Sequence, residues 1–249
     1  MLKEERFSQI LDRLKTDSRV TLTALSDELQ VSEHTVRRDL KELSEQGLLK
    51  AVRGGAIPHS PTPFHFRDRV LLDSDNKILI AKKALGFLQD GQEVIFDGGT
   101  TPLAIARMLP PELKITVITN SFPIASALED HPNTEVLFAG GRLFKPSFVT
   151  LGSGVNCFFE GFQADICFLG ICSIHPTLGV TTSHFEEAEA KKAMVNAANQ
   201  VIALSSVEKT GTVESFRIGK TQLVNVIVSE TDPADELFKP YKALGIQVV

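Results

Sequence analysis

Apolar positions recur at spacings of three and four over three early stretches, the period that lays one stripe along an α-helix. Over 4–15 the stripe is Phe7, Ile10, Leu11 and Leu14; over 21–29 it is Leu22, Leu25 and Leu29. A third helix is expected from Ser32, a good N-cap residue, to about position 46, with Val36, Leu40 and Leu43 facing inward and Gly47 ending it. A short strand over 48–52 and a tight turn at Arg53-Gly54-Gly55-Ala56 follow. Then come three prolines in six residues, Pro58 to Pro63, a run that forbids helix and reads as a stiff linker.

Beyond the linker the rhythm changes. A helical pattern over 75–88 leads into short apolar runs alternating with helical ones. Strands are expected at 93–97, 115–119, 135–139, 165–169, 201–204 and 224–228, with 246–249 as a further candidate. Helices are expected at 102–109, 123–129, 186–198 and 233–243. Near-continuous apolar strands alternating with helices describe a mostly parallel sheet covered on both faces. The fold class is therefore α/β. A winged helix-turn-helix over 1–57 precedes a linker over 58–73 and an open-sheet domain over 74–249.

Charge changes the picture only when it is divided. The chain carries a formal charge of −5, yet residues 1–57 hold ten basic and ten acidic residues, and the remainder holds the whole excess. A DNA reader needs positive charge on one face, not in its sum. With Val36, Leu40 and Leu43 inward, the third helix presents Thr35, Arg37, Arg38 and Lys41 on its other side. Arginine and lysine pair with guanine or phosphate, and threonine with a thymine methyl or a phosphate. Ser32 opens that helix with its free amides toward phosphate. Lys50 and Arg53 on the wing are placed to grip the backbone or the minor groove. The bland alternative makes Arg37 and Arg38 solvated charges paired with Glu33, Asp39 or Glu42. The helix-turn-helix context and the glycine wing argue against it.

In the second domain, Asp97-Gly98-Gly99-Thr100-Thr101 joins a strand to a helix. Glycines admit a ligand to the backbone, while hydroxyls and a helix N-terminus offer donors. Asn120 and Ser121, and then Gly141, follow the next two strands, and ligands of open α/β sheets bind beyond such carboxyl ends. Lys209 is placed to add a cation. Asp97 either accepts from a ligand hydroxyl or orders its own turn. Glu187 and Lys191, four apart on a helix, form either a surface ion pair or a polar wall of the pocket. Cys157, Cys167 and Cys172 read as buried reduced thiols, and His175 and His184 as solvated loop residues. No cofactor motif or metal-ligand spacing is present, so neither group is expected. With no apolar run long enough for a membrane helix and no signal-peptide pattern in the charged N-terminus, a cytoplasmic protein is expected.

The string VSEHTVRRDLKELSEQGLL followed by RGGA resembles the N-terminal signature of the DeoR family, with Arg53 where the family usually has histidine. The resemblance continues through DGGTT, TNS, GG, GVTT and EAEAKKAM. In the final SVEKTG run, Ser206 stands at a position where the family often has aspartate. The family's effector domain resembles ribose-5-phosphate isomerases and coenzyme A transferases. The resemblance thus implies a repressor of a sugar-utilisation operon, a double-stranded operator, a phosphorylated sugar effector and a homodimer or homotetramer. An isomerase with a DNA-binding head is the alternative. It is disfavoured because the stretch from Phe168 to Ser173 lacks the acidic run that those isomerases carry. A non-specific packaging protein is disfavoured by the neutral head and acidic remainder.

Overall fold

The computed structural model describes residues 2–17, 19–72 and 74–249. The head comprises α1 (Lys3–Asp17), β1 (Val20–Thr21), α2 (Leu22–Leu29), α3 (Glu33–Glu45), β2 (Lys50–Val52) and β3 (Gly55–Ile57). The expected stripes meet in one core of Ile10, Leu14, Leu25, Leu29, Val36, Leu40, Leu43 and Leu49. Local chemistry sets the helix ends. Thr21 Oγ1 accepts from the Ala24 amide at 3.2 Å, and Ser32 Oγ from the Thr35 amide at 3.2 Å. Gln30, in the left-handed region at φ 54°, turns the chain between α2 and α3.

The wing differs from expectation. Only Arg53 and Gly54 form the turn, whereas Gly55 and Ala56 belong to β3, the middle strand of an antiparallel β1-β3-β2 sheet. A Cβ on Gly55 would lie 1.9 Å from the Val20 carbonyl oxygen, so β3 presses against β1 too closely for any side chain. The two residues of β1 are too few to give a periodic signal.

Residues 58–63 hold no regular element beyond a bridge between His59 and Val213, but the stretch read as linker also holds a helix, α4 (Phe66–Leu71). Its Phe66 packs on the second domain's core, and the Phe66 amide donates to the Pro146 carbonyl at 2.6 Å. The expected linker end, Asp73, lies outside the described residues.

The second domain continues through α5 (Ser74–Leu85), β4 (Glu93–Phe96), α6 (Thr100–Arg107), β5 (Ile115–Thr119), α7 (Phe122–Ala127) and β6 (Thr134–Phe138). Next come β7 (Arg142–Phe144), β8 (Val149–Leu151), α8 (Ser153–Glu160), β9 (Ala164–Gly170), β10 (Ser173–His175) and β11 (Gly179–Thr182). Then follow α9 (Phe185–Asn196), β12 (Ala198–Leu204), β13 (Phe216–Gly219), β14 (Val226–Val228), α10 (Lys239–Lys242) and β15 (Gln247–Val248). The helix expected at 233–243 is reduced to a 3-10 turn at Glu236–Phe238 and the single turn of α10. Pro240 is the reason: a proline is tolerated in the first turn of a helix and breaks its interior.

Seven described strands form one sheet in the order β15-β14-β12-β9-β4-β5-β6, every pair parallel. Alternate residues face opposite layers. Val94, Phe96, Ile166 and Phe168 join the core under α5 and α6, while Ile95, Cys167 and Leu169 join the one containing α8 and α9 residues. A small antiparallel sheet, β10-β11-β13, and the β7–β8 hairpin lie outside this frame.

Phe96 and Phe168, on adjacent central strands, meet edge-on with centroids 5.2 Å apart and both fully buried. Phe168→Ala is expected to lower stability by about 3–5 kcal/mol, the usual cost of such a cavity. Urea unfolding followed by circular dichroism measures it.

Candidate functional site

On α3, Arg37, Arg38 and Lys41 are exposed, Thr35 is half-buried, and Ser32 sits exposed at the N-cap. The acids that would neutralise the two arginines are committed elsewhere. Asp39, buried, accepts two bonds from Arg6, at 2.7 and 3.1 Å. Glu42 accepts from Lys3 at 2.6 Å, and Glu33 accepts from the Thr23 hydroxyl at 2.7 Å. Among the described residues neither Arg37 nor Arg38 has a hydrogen bond or ion pair, so the pairing alternative is not what the structure contains. Arg53 is exposed at the wing turn. Lys50 instead reaches the second domain, where its Nζ donates to Ser215 Oγ at 3.0 Å.

The second candidate site follows from strand order. After β4 the chain adds β5 and β6 on one side, then crosses back to place β9 on the other. Such a reversal leaves a crevice at the carboxyl ends of the two central strands. Asp97 ends β4 there, its amide donating to the Phe168 carbonyl at 3.1 Å. Gly98 and Gly99 then lead into α6, whose N-cap, Gly99, offers no side chain. Its first amides therefore face the crevice without a partner from the helix itself.

Gly98, Gly99, Thr100, Thr101, Glu187, Lys191 and Lys209 line one hollow together with Gly170 and Arg69. A second hollow shares Thr100, Thr101, Arg69 and Lys209 and adds Lys77, Asn76, Pro61 and Thr62. Asn120, Ser121 and Gly141 do not line either one. The ends of β5 and β6 lie one and two strands from the reversal, and the β7–β8 hairpin covers them. Asn120 Nδ2 donates to the Thr150 carbonyl at 2.8 Å, Ser121 bridges to Val149, and a Cβ on Gly141 would meet Val155.

Asp97 is not a free acceptor. Its Oδ2 takes bonds from Lys191 Nζ and from the Gly170 amide, the latter at 2.9 Å. Lys191 also donates to the Gly170 carbonyl at 2.8 Å. The pair is buried, with side-chain exposures of 5% and 4%, so Lys191 and Glu187 are not a surface pair. Burial alone pulls the Lys191 ammonium down, but Asp97, Cys172 and Glu187 outweigh it and hold the group above its ordinary value. Lys209 is the opposite case. Burial lowers it, and Arg69, Lys77 and Lys191 lower it further, with only Cys172 opposing them. No side-chain partner reaches its ammonium among the described residues. Arg69 donates to Ser147 Oγ at 3.1 Å, yet its Nε is buried without a partner. Arg69, Lys77, Lys191 and Lys209 thus outnumber the carboxylates of Glu187 and Glu208 around a cleft whose wall is a helix N-terminus.

Reading from sequence raised Lys191 only beside Glu187 and not as the partner of Asp97, and it missed Arg69 and Lys77 in the lining of the hollows. Lys191 had a signal: Ala188, Ala190, Ala193, Met194 and Val195 surround it on α9, drawing the helix inside on most of its circumference. Arg69 and Lys77 had none, since their place depends on how α4 and α5 dock. Three smaller expectations are also corrected. Cys157 is exposed, while Cys167 and Cys172 are buried. His175 is buried in β10, its Nδ1 accepting from the Thr177 amide at 3.2 Å. His184 is half-buried at the start of α9, its ring 4.2 Å from that of Phe144.

The family model described as the DeoR C terminal sensor domain matches residues 72–231, and the DeoR-like helix-turn-helix domain matches 6–62. The chain belongs to the DeoR family of transcriptional regulators. This DeoR-family chain is 31% identical over 251 residues to the HTH-type transcriptional regulator GolR of Listeria innocua, covering 100% of this chain and 98% of that one. It is 34% identical to the HTH-type transcriptional repressor GlcR of Bacillus subtilis, over 94% of this chain and 90% of the other. It is 28% identical to the glycerol-3-phosphate regulon repressor of Escherichia coli, over 94% and 93%. Among solved structures, ribose 5-phosphate isomerase A of Methanocaldococcus jannaschii aligns at 19% identity and a TM-score of 0.41, over 55% of this chain and 54% of that one. This last is a likeness of fold alone. In a DeoR-family regulator the head is the DNA-binding part, and most of the cleft's lining, Gly98 to Thr101, Glu187, Lys191 and Lys209, lies within the matched sensor domain.

Breaking a buried ion pair leaves an uncompensated charge. Lys191→Met is therefore expected to destabilise the second domain by about 3–5 kcal/mol. Adding Asp97→Asn should recover a large part of that loss. Urea midpoints of the two variants beside the parent chain supply the comparison.

Proposed function

We propose that this DeoR-family regulator represses a sugar or carbohydrate utilisation operon and is controlled by a phosphorylated sugar bound in the cleft between β4 and β9. The observation that carries the effector is the cationic cleft: Lys209 without a counter-charge, Arg69 and Lys77 beside it, and the open N-terminus of α6. Lys209 is half-buried, and an ammonium drawn partly out of water without a partner is costly, a cost that an anion lowers. Glu187 and the hydroxyls of Thr100 and Thr101 supply acceptors and donors for a hydroxylated ligand. Two relatives agree with the class: one is the glycerol-3-phosphate regulon repressor of Escherichia coli, another a putative aga operon transcriptional repressor of Escherichia coli O157:H7.

The site senses rather than transforms. Asp97 is tied to Lys191 and Gly170, and the run from Gly170 to Ser173 offers no acid to serve as a base. At the head, Arg37 and Arg38 read bases or pair with phosphate. Thr35 and Lys41 flank them on α3, and Ser32 and Arg53 approach the backbone. Paired half-sites call for a homodimer or homotetramer, so light scattering at micromolar concentration is expected to show no monomer.

Fluorescence anisotropy on duplex DNA from upstream of its own gene tests both halves. Arg37→Ala and Arg38→Ala are each expected to weaken binding. A phosphate contact would lower the salt slope by about 1, while a base contact would cost about 1–3 kcal/mol and relax specificity at one position. One member of a sugar-phosphate panel should shift affinity at least about fivefold. Its free sugar should not, and Lys209→Ala should abolish the response. A free sugar acting as well as its phosphate would refute the anion cleft.

A further inference from the structure

The cleft is roofed by the chain that carries the head. Pro61 and Thr62, in the strap 58–63, line the same hollow as Thr100, Thr101 and Lys209. Two hydroxyls on the strap share one acceptor beyond the end of β9: Ser60 Oγ donates to the Cys172 carbonyl at 2.7 Å, and Thr62 Oγ1 at 3.3 Å.

The same segment that supplies Lys209 continues to the head. Five residues on, Glu214 faces His59 at 3.7 Å, and the Val213 amide donates to the Pro58 carbonyl at 3.4 Å. One residue further, Ser215 takes the bond from Lys50 of the wing. The strap and the 209–215 segment therefore grip one another between the cleft and the wing.

The hollow under the strap has a volume of about 30 Å³ and its neighbour about 20 Å³. That is room for a water or so, against the roughly 300 Å³ or more of a small-molecule site. A sugar phosphate cannot enter until some wall moves. The walls formed by α6, β9 and α9 belong to the central sheet and its cores. The strap is held by side-chain bonds to a single carbonyl and by thin contacts at Pro58 and His59. It and α4, which buries no residue, are the loosely held walls, and the strap is the one that also anchors the head.

We infer that the strap 58–63 is a latch: an anionic ligand entering the cleft displaces it from the Cys172 carbonyl, and this loosens the wing's hold on the 213–215 segment. The inference rests on the cleft being the effector site. Ligand occupancy is then read as freedom of the head, because the residues that must move for the ligand are those that anchor the head. The coupling is reciprocal, so holding the head in place would weaken ligand binding.

Hydrogen exchange of the full chain, read by mass spectrometry with inorganic phosphate and with ribose 5-phosphate as probes, tests the latch. Exchange is expected to slow at 98–103 and 206–210 when a probe binds. It should quicken about fivefold or more at 55–62 and 213–216, the lower end of ordinary coupling between sites. The double variant Ser60→Ala/Thr62→Ala should show the faster exchange at 55–62 and 213–216 without any probe, while the probe still slows 98–103. Slower exchange at 98–103 with 55–62 and 213–216 unchanged or also slowed overturns the latch and leaves the site standing. No change at 98–103 with either probe removes the site, and the latch with it.

Discussion

The winding of the central sheet reverses between β4 and β9, and much else follows from that single constraint. No crossover helix can close the gap at a reversal, so the carboxyl ends of β4 and β9 face a hole. The chain plugs the deep end of the hole with an ion pair, Asp97 and Lys191, rather than with apolar side chains. A buried pair is weak evidence of stability, since desolvation offsets much of its attraction. Its effect here is positional. Lys191 ties α9 to the end of β4, and the Gly170 amide and carbonyl tie the end of β9 to the same two groups. Two strands and a helix are thereby fixed at one point, leaving the shallower part of the crevice open.

What lies in that shallower part was only partly legible in the sequence. The glycine-threonine turn after β4 could be found because a strand-to-helix junction with two glycines has local causes. So could the head, whose three stripes and caps are set within a few residues of chain. The seven-stranded sheet was legible as alternation, although not that every pair would be parallel. The β10-β11-β13 sheet was not. One buried face is polar, with Ser173 and Thr181 hydroxyls 2.6 Å apart and the Glu214 amide donating to Thr181 Oγ1 at 2.7 Å, while Ile174, Val180 and Ile218 join the core, one from each short strand, so no apolar period marks it.

The site residues divide in the same way. Among residues lining the cleft, Gly98 to Thr101 and Lys209, which follow strands, and Glu187 on α9 are legible in the sequence, whereas Arg69 and Lys77, brought in by docking, are not. Arg69 arrives on a helix inside a stretch that composition marks as linker, and Lys77 on α5, a helix that the sequence marks only as part of the core. Asn120, Ser121 and Gly141 also follow strand ends, but β5 and β6 lie away from the reversal, and these residues do not line the two hollows there. Which strand lies beside which is a property of long-range pairing, and no local pattern in β5 or β6 reports it.

The distribution of charge on the head has a kinetic meaning. Lys3, Arg6 and Thr23 occupy Glu42, Asp39 and Glu33, and Lys41 lies 3.7 Å from Glu45, so a neutral head leaves Arg37 and Arg38 bare on one face, while the excess negative charge belongs to the rest of the chain. Near a polyanion such a molecule experiences a torque as well as a force. The acidic body is pushed away and the arginine face drawn in, so most encounters begin with the reading helix foremost. Added salt would then act twice, weakening the contacts once made and randomising the orientation in which the two molecules first meet.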